Sequence, residues 1–277
     1  MGLRTCLIGL LKKKSIQALY NSSMVIADTE FTCLRPLGQE TRPGLTKAGR
    51  LSFCAMLEGR KVKIYETHSQ RQTNLRQKIQ NTVFGKSFLP GIIASEGTYV
   101  VEEWIHGTSA LTSKAGIKKT VETMIQVLLQ DPKLINLAQE QAMSFCYLQN
   151  YLYPRVAKWS ILSPVKDFTK EWQKRFDELR PHLPIRISHP DLSPANIICQ
   201  EASDRKVIID NELLGSGFGW ILDWHNSLLK EQKSVSLELI QQHVPEDFLE
   251  KTWRLRLLGS ALDREDYTQA LKIAKGK

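Results

Sequence analysis

The chain has 277 residues, of which 42% are hydrophobic, and it carries a formal net charge of +9. A chain of this length and composition can bury a sizeable core, which excludes a disordered protein and predicts one or two globular domains. The five cysteines include no Cys-x-x-Cys pair, which argues against a zinc site and against a disulfide framework. We therefore expect reduced thiols and a cytoplasmic protein.

The basic residues are concentrated in the first part of the chain. Residues 1–100 contain 15 Lys and Arg against 6 Asp and Glu, whereas residues 101–277 contain 23 of each. This excess suits a polyanionic ligand such as a nucleoside triphosphate, although nucleic acid or an acidic surface would also fit. The basic residues are scattered and lack interleaved aromatic residues, so the pattern argues against nucleic-acid binding.

Residues 1–30 are predicted to form a basic, amphipathic N-terminal extension. Its apolar stretch at 1–11 is too short to span a bilayer, and the lysines that follow at 12–14 lie on the wrong side for a signal peptide. The sequence therefore predicts no transmembrane segment. A helix packed on the domain that follows is the preferred interpretation, and contact of the basic residues with a membrane surface is the alternative.

A β-hairpin is predicted next. Residues 51–57 and 61–65 favour strands, and Gly59 between them suits a tight turn. Because side chains alternate along a strand, Lys61 and Lys63 fall on the same face of the second arm.

Two glycines precede this hairpin. Gly44 and Gly49 bound a short stretch whose backbone N–H groups could cover phosphates, as a glycine-rich loop does. Because the stretch does not match G-x-G-x-x-G, an ordinary turn is the alternative.

A helix over 70–82 and a strand within 97–107 complete a small mixed domain, after which the pattern becomes helical. Apolar positions with helical spacing are Ile117, Val121, Met124, Ile125, Leu128 and Leu129, then more loosely Leu134, Leu137, Phe145 and Leu148, and then Phe168, Trp172, Phe176 and Leu179. We interpret all of these as core residues. The change of pattern after Gly107 places a hinge at 102–107.

The most specific pattern is His-x-Asp-x-x-x-x-Asn, formed by His189, Asp191 and Asn196. Residues 197–199 and 206–209 suit a short hairpin, which would bring Asn196 beside Asp210. In phosphoryl transfer by kinases, one Asp accepts the hydroxyl proton, while an Asn and a later Asp hold metal ions. The spacing therefore indicates a phosphoryl-transfer site.

The strand lysine, the hinge strand, the His-x-Asp-x-x-x-x-Asn loop and the strand-terminal Asp occur in an order that resembles the protein-kinase-like superfamily. Asp210-Asn211-Glu212 looks most like the aminoglycoside phosphotransferase and choline kinase group, in which x-Glu follows the metal Asp. The resemblance covers residues 45–230. It implies an α+β, bilobal protein-kinase-like fold, with a small mixed β-sheet N-lobe at 31–105 and a mainly helical C-lobe at 106–277 that carries the catalytic loop and the acceptor pocket.

The resemblance also implies roles for individual residues. Asp191 is expected to be the catalytic base, and Asn196 and Asp210 are expected to bind the Mg²⁺ that bridges the phosphates of ATP. Lys63 is expected to bind those phosphates, with Lys61 as the alternative.

Other residues are expected to support the nucleotide and the loop. Gly49 would belong to the stretch that covers the phosphates, and Glu102, Glu103 and Trp104 correspond to the hinge segment that meets adenine through backbone groups. His189 is expected to orient the catalytic loop, and Asp223 to support it through hydrogen bonds to its backbone. A packing histidine and a helix-capping aspartate are the alternatives.

The expected activity is transfer of the γ-phosphoryl group of ATP to a hydroxyl of a small acceptor, of the aminoglycoside, sugar or amino alcohol type. The stretch between Asp210 and Asp223 is too short for the activation loop of a protein-substrate kinase. A kinase of lipopolysaccharide core sugars or of proteins remains the nearest enzymatic alternative.

One part of the kinase pattern is missing. No acidic residue lies between Glu66 and Glu96, so the helix at 70–82 has no Glu to pair with the strand lysine, and Gln70, Gln72 and Gln77 are its nearby acceptors. A glutamine supplies no charge to fix a lysine. A pseudokinase that binds nucleotide without efficient catalysis is therefore a further alternative.

Overall fold

The computed structural model describes residues 22–37, 50–110, 117–201, 203, 205–223 and 240–276. Two expectations lie outside those ranges. These are the helix predicted near the start of the basic extension and the stretch between Gly44 and Gly49.

Six antiparallel strands form the sheet of the first lobe. Across the sheet their order is β1 (Met24–Ile26), β2 (Thr29–Pro36), β3 (Ser52–Leu57), β4 (Arg60–Glu66), β6 (Tyr99–Glu103) and β5 (Ile92–Glu96). The sheet thus begins at Met24, within the segment predicted as an extension.

The predicted hairpin is confirmed. Leu57 at the end of β3 pairs with Arg60 at the start of β4. Glu58 and Gly59 between them have φ angles of 49° and 79°. Two successive positive φ angles give the turn whose twist matches that of the flanking strands, and a glycine in the second position relieves its strain.

One face of the sheet has its own small core. Val62 and Ile64 of β4 point into it, while Lys61 is exposed and Lys63 is half-buried on the opposite face. The buried residues of this cluster are Ile26, Phe31, Leu34, Phe53, Ala55, Val62, Ile64 and Val101. The alternation along β4 therefore leaves its lysines on the face that points away from this core.

Two helices interrupt the sheet in sequence. Helix α1 (Gln70–Gln80) begins at Ser69, whose side chain caps its first turn, and α2 (Val83–Phe88) follows. The helix predicted over 70–82 is thus confirmed. Its buried Leu75 and Ile79, however, belong to the large apolar cluster of the second lobe. Helix α1 therefore packs between the sheet of the first lobe and the core of the second lobe.

The second lobe is mainly helical. Within the described ranges, its α-helices are α3 (Ile117–Gln130), α4 (Pro132–Glu140), α5 (Tyr153–Ala157), α6 (Ser163–Leu179), α7 (Glu246–Asp263) and α8 (Tyr267–Ala274), with a π-helical turn at Leu148–Leu152. The six core positions predicted for α3 are all buried. On α6, Trp172 stacks on Phe176 with ring centroids 5.1 Å apart. Within the described ranges, no helix combines the length and the apolar character needed to cross a bilayer.

One expectation about these helices is wrong. Leu134, Leu137, Phe145 and Leu148 were expected to share one helical face, but α4 ends at Glu140. The chain then turns, with Met143 at a φ of 58°, before the π-helical turn begins at Leu148. A loose apolar spacing does not distinguish one long helix from two short helical segments joined by a turn.

Short strands frame the predicted catalytic loop. The antiparallel strands β7 (Thr108–Ser109), β9 (Ile197–Cys199) and β10 (Lys206–Ile208) form one small sheet, and β8 (Arg186–Ser188) pairs with β11 (Gly215–Gly217). The hairpin predicted at 197–199 and 206–209 is thereby confirmed. Arg205, at its turn, donates hydrogen bonds to the carbonyl oxygens of Lys86, Ser87 and Leu89 at the end of α2. This side chain ties the hairpin to the interlobe helices.

Candidate active site

The catalytic-loop segment lies between β8 and β9. A turn closes at its start, where Leu192 N donates to the His189 carbonyl at 2.9 Å. The Leu192 side chain is fully buried in the core of the second lobe. A 3₁₀ turn at Pro194–Asn196 then leads into β9. A buried anchor and a hydrogen-bonded turn therefore fix the loop on both sides of Asp191.

Asn196 contacts Asp191 directly. Its Nδ2 donates to the Asp191 carbonyl oxygen at 2.8 Å and to Asp191 Oδ2 at 3.2 Å. The Nδ2 atom of Asn196 thus forms hydrogen bonds within the loop, and its Oδ1 is the atom that could bind a cation.

The β9–β10 pairing brings Asp210 to the same place. Ile209 N donates to the Asn196 carbonyl at 2.8 Å, so the next residue, Asp210, lies beside Asn196, as predicted. Asp210 adopts left-handed backbone angles, with φ 61° and ψ 47°, and its side chain is 47% exposed. A non-glycine residue in this conformation costs about 1–3 kcal/mol, a cost often found where a functional side chain must point in an unusual direction.

Lys63 reaches this loop from the sheet. Its Nζ lies 2.6 Å from Asp210 Oδ1 and 3.3 Å from Glu212 Oε2. Burial alone would lower the pKa of Lys63, but the carboxylates of Glu212 and Asp210 outweigh burial and raise it, so the ammonium is charged. Lys61, by contrast, is exposed, and its Nζ lies 5.9 Å from the ring centre of Trp104. Of the two lysines left open by the sequence, Lys63 is the one beside Asp210.

Glu212 was not among the residues predicted for the site. It is buried, and burial raises the pKa of its carboxyl above the ordinary value, against the opposing effect of Lys63. The x-Glu that follows the metal Asp in the resembling group was the signal in the sequence that could have identified it. Glu212 provides a second carboxylate to Lys63 from the second lobe.

Among the described residues, Gln72 of α1 forms hydrogen bonds to the backbone after Asp210 and none to the strand lysine, which the helix glutamate of kinases contacts. Its Nε2 donates to the carbonyl oxygens of Glu212 and Leu214 at 3.1 and 2.7 Å. Its Oε1 accepts from His68 N at 2.6 Å and from the buried Arg50 at 3.2 Å. Gln72 therefore holds the backbone that follows Asp210.

The predicted hinge residues have distinct surroundings. Glu102 is 1% exposed and accepts hydrogen bonds from Tyr65 Oη at 2.9 Å, Arg76 Nε at 2.8 Å and Asn211 Nδ2 at 3.1 Å. This buried network links the hinge strand to α1 and to the residue after Asp210. The Glu102 side chain therefore points into the protein, so only its backbone is left for the predicted contact with adenine.

Glu103 and Trp104 lie at the end of the same strand. Glu103 is exposed and accepts from Gly91 N at 3.0 Å, and Trp104 is partly buried beside Lys61. Among the described residues, neither side chain forms a hydrogen bond or ion pair with Lys63, Asp210 or Glu212. Gly49 lies outside the described residues.

His189 and Asp223 are both fully buried. Burial lowers the pKa of His189 and raises that of Asp223 well above its usual range. Neither side chain has a hydrogen-bond partner among the described residues, so the bonds predicted from Asp223 to the loop backbone are not formed there.

A residue far along the chain also contacts the loop. Arg256 of α7 donates to the Pro190 carbonyl at 2.7 Å and to Asp191 Oδ1 at 2.8 Å. No spacing rule connects Arg256 to the loop motif, so no sequence pattern indicated this contact.

Comparison with solved structures gives the fold. A candidate aminoglycoside phosphotransferase from Ralstonia eutropha aligns with a TM-score of 0.52 and 12% identity, covering 95% of each chain. An ethanolamine kinase from Plasmodium vivax aligns at 0.47 and 14% identity, over 84% of this chain and 79% of its own. A choline kinase from Streptococcus pneumoniae aligns at 0.45 and 14% identity, over 98% and 99%.

Sequence comparison adds no assignment, since no model of a protein family and no curated protein matches the chain. The first structural alignment covers nearly all of both chains and agrees with the β-sheet first lobe and helical second lobe seen here. The chain therefore has the bilobal protein-kinase-like fold.

Proposed function

We propose that the protein is an ATP-dependent phosphotransferase that moves the γ-phosphoryl group to a hydroxyl of a small acceptor. The observation that carries this proposal is the approach of Lys63 Nζ to within 2.6 Å of Asp210 Oδ1, from opposite lobes. This contact lies beside Asn196, which itself bonds Asp191. A cation, two candidate metal ligands and a candidate base thus lie together where the two lobes meet.

The donor set fits Mg²⁺. This ion prefers hard oxygen ligands and is usually held by one or two carboxylates together with substrate phosphates and water. Asp210 would supply a half-exposed carboxylate and Asn196 the oxygen of its amide. When bound, the ion would neutralise charge on the phosphate oxygens.

The residues of the chain then have separable roles. Lys63 would bind phosphate oxygens, whose negative charge is spread over three equatorial positions during transfer. Asp191 would orient the acceptor hydroxyl and accept its proton. The hydroxyl oxygen would form the new bond to the γ-phosphorus as the bond from that phosphorus to the β,γ-bridging oxygen of ATP breaks, and ADP would leave with that oxygen.

The surroundings of Asp210 favour a small acceptor over a protein. Every residue from Asn211 to Asp223 is buried, and β11 in this stretch pairs with β8. A protein substrate would need an exposed segment here on which to dock, as in protein kinases. We therefore propose aminoglycosides, sugars and amino alcohols as the acceptor classes to test first.

The test is transfer of labelled phosphate from [γ-³²P]ATP to separate pools of aminoglycosides, sugars, amino alcohols and proteins. We expect transfer to one small-molecule pool, and its loss in Asp191→Asn with nucleotide binding retained. Asp210→Asn should instead remove the Mg²⁺-dependent part of the thermal stabilisation by ATP.

Equal turnover by the wild type and Asp191→Asn would contradict the assignment of the base. Transfer to the protein pool alone would support a protein kinase. Metal-dependent ATP binding without transfer to any pool would support a nucleotide-binding pseudokinase.

A further inference from the structure

Arg256 links the C-terminal part of the chain to the catalytic-loop segment. One end of its guanidinium donates to the Pro190 carbonyl at 2.7 Å, and the other donates to Asp191 Oδ1 at 2.8 Å. The planar guanidinium thus spans the peptide before Asp191 and the carboxylate of Asp191 itself. This two-point contact relates the side chain of Asp191 to its own backbone.

The Asp191 carboxylate is held at both oxygens. Arg256 donates to Oδ1, while Asn196 Nδ2 lies 3.2 Å from Oδ2. The side chains of Arg256 and Asp191 are 17% and 18% exposed. Both side chains are largely shielded from solvent, and the carboxylate accepts directed hydrogen bonds from Arg256 and Asn196. This ion pair is therefore stronger than an exposed pair, whose charges are screened by water.

Arg256 lies on helix α7, which is tightly packed against the second-lobe core. Its neighbours Leu255 and Leu258 on α7 are fully buried, and Thr252 Oγ1 accepts a hydrogen bond from Trp172 Nε1 at 3.0 Å. Gly259 lies against α5 so closely that an added Cβ would be 3.2 Å from Val156 Cγ2. A side chain supported in this way can fix the direction of the group it contacts.

We propose that Arg256 is a positioning residue that fixes the Asp191 carboxylate in the direction of the acceptor hydroxyl; this inference rests on the phosphotransferase function proposed above. Without Arg256, the carboxylate would lose the hydrogen bond at Oδ1, and its terminal torsion is intrinsically broad. The proposed base would then sample orientations that do not meet the hydroxyl.

The test compares steady-state kinetics of the wild type, Arg256→Met and Arg256→Lys with the best acceptor from the transfer screen. We expect kcat to fall by about 10²-fold in Arg256→Met, the effect of a small misplacement of a reacting group. The KM for MgATP should be unchanged because Lys63 and Asp210 are not touched. Arg256→Lys should be intermediate, since one ammonium cannot reproduce the fork of the guanidinium.

A rescue experiment separates positioning from a structural role. In Arg256→Ala, added guanidinium ion at concentrations that leave the fold intact should restore part of kcat, because the deleted group is returned to the same place. Arg254→Met is the matched control on the same helix. Arg254 donates to the Ile273 carbonyl at 2.8 Å and has no contact with the loop among the described residues, so its loss should leave kcat unchanged.

Each outcome decides the proposal. Wild-type transfer with an unaltered kcat in Arg256→Met overturns the role of Arg256 alone. A fall in kcat that follows a fall in thermal stability, without guanidinium rescue, also overturns it in favour of a purely structural role. Absence of transfer by the wild type overturns the proposed function and this inference together.

Discussion

Lys63 Nζ and Glu212 Oε2 lie 3.3 Å apart, although they belong to different lobes. The kinase pattern places the acidic partner of this lysine on the first-lobe helix, yet no acidic residue lies between Glu66 and Glu96. Glu212 supplies a carboxylate to the lysine from the opposite side. Although the first-lobe helix lacks a glutamate, Lys63 therefore has two carboxylates near it, those of Asp210 and Glu212.

Glu212→Gln should lower kcat/KM for ATP. The amide would keep the shape but remove the charge that holds Lys63, and a charge-assisted hydrogen bond contributes about 1.5–3 kcal/mol. We expect a loss of about ten- to hundredfold in steady-state kinetics. Glu140→Gln, at a surface pair with Lys78, is the control that should retain full activity. Full activity in Glu212→Gln would mean that Asp210 alone suffices to place Lys63.

Lys63→Met and Lys61→Met should differ sharply. Loss of Lys63 removes the cation at the candidate phosphate site, and removal of one preorganised electrostatic group typically costs about 10²–10³-fold in rate. Loss of Lys61 removes an exposed contact with Trp104, worth about 0.5–1 kcal/mol, so activity should be nearly unchanged. ATP titrations and kcat measurements on both variants check this. A larger defect in Lys61→Met would reverse the assignment.

Arg76→Met should destabilise the protein strongly. Arg76 and Glu102 form an ion pair with side chains that are 2% and 1% exposed. Removing one partner of a buried pair leaves the other charge uncompensated and costs about 3–5 kcal/mol. Urea unfolding measures this loss. Arg71→Met, at an exposed position of the same helix, should change stability little. Comparable midpoints for the two variants would show that the network around Glu102 adds no stability.

The contribution of His189 to stability should become more unfavourable as the solution becomes acidic. Its pKa in the folded protein is below the ordinary value of 6.5, mainly because of burial. As the pH falls below that value, the unfolded chain binds a proton that the folded chain excludes, so the folded state loses stability. One such proton contributes at most about 1.4 kcal/mol per pH unit.

Urea unfolding of the wild type and of His189→Gln, between about pH 7 and pH 5, isolates this contribution. The variant should lose less stability over the interval, because other titrating groups act equally in both proteins. Parallel curves would show that His189 takes up a proton as readily in the folded chain as in the unfolded one.

The sequence predicted features that depend on neighbouring residues. Strand alternation put Lys61 and Lys63 on one face, and the loop and hairpin spacing put Asn196 beside Asp210. These follow from local geometry, because a short hairpin has few ways to close. The choice between the two lysines needed the second lobe, since only the contact with Asp210 distinguishes them.

Other parts of the site could not be predicted because they depend on packing between distant segments. Arg256 meets Asp191 only through the placement of α7 against the second-lobe core, which no motif encodes. The inward direction of Glu102 likewise depends on Arg76 and Asn211, from two other elements. The alternation along a strand predicts which face a side chain lies on, but it does not predict which residues of other elements that side chain contacts.

The packing of α1 limits the conformational changes that could regulate this protein. In a kinase that is controlled by swinging the corresponding helix, that helix must detach from its neighbours. Here Leu75 and Ile79 are fully buried in the second-lobe cluster, and exposing such side chains costs about 1.5–3 kcal/mol each. A swing would also break the pair between Arg76 and Glu102. Under the proposed function, the site around Lys63 and Asp210 would therefore be held in its assembled form, and the rate of transfer would follow the supply of nucleotide and acceptor.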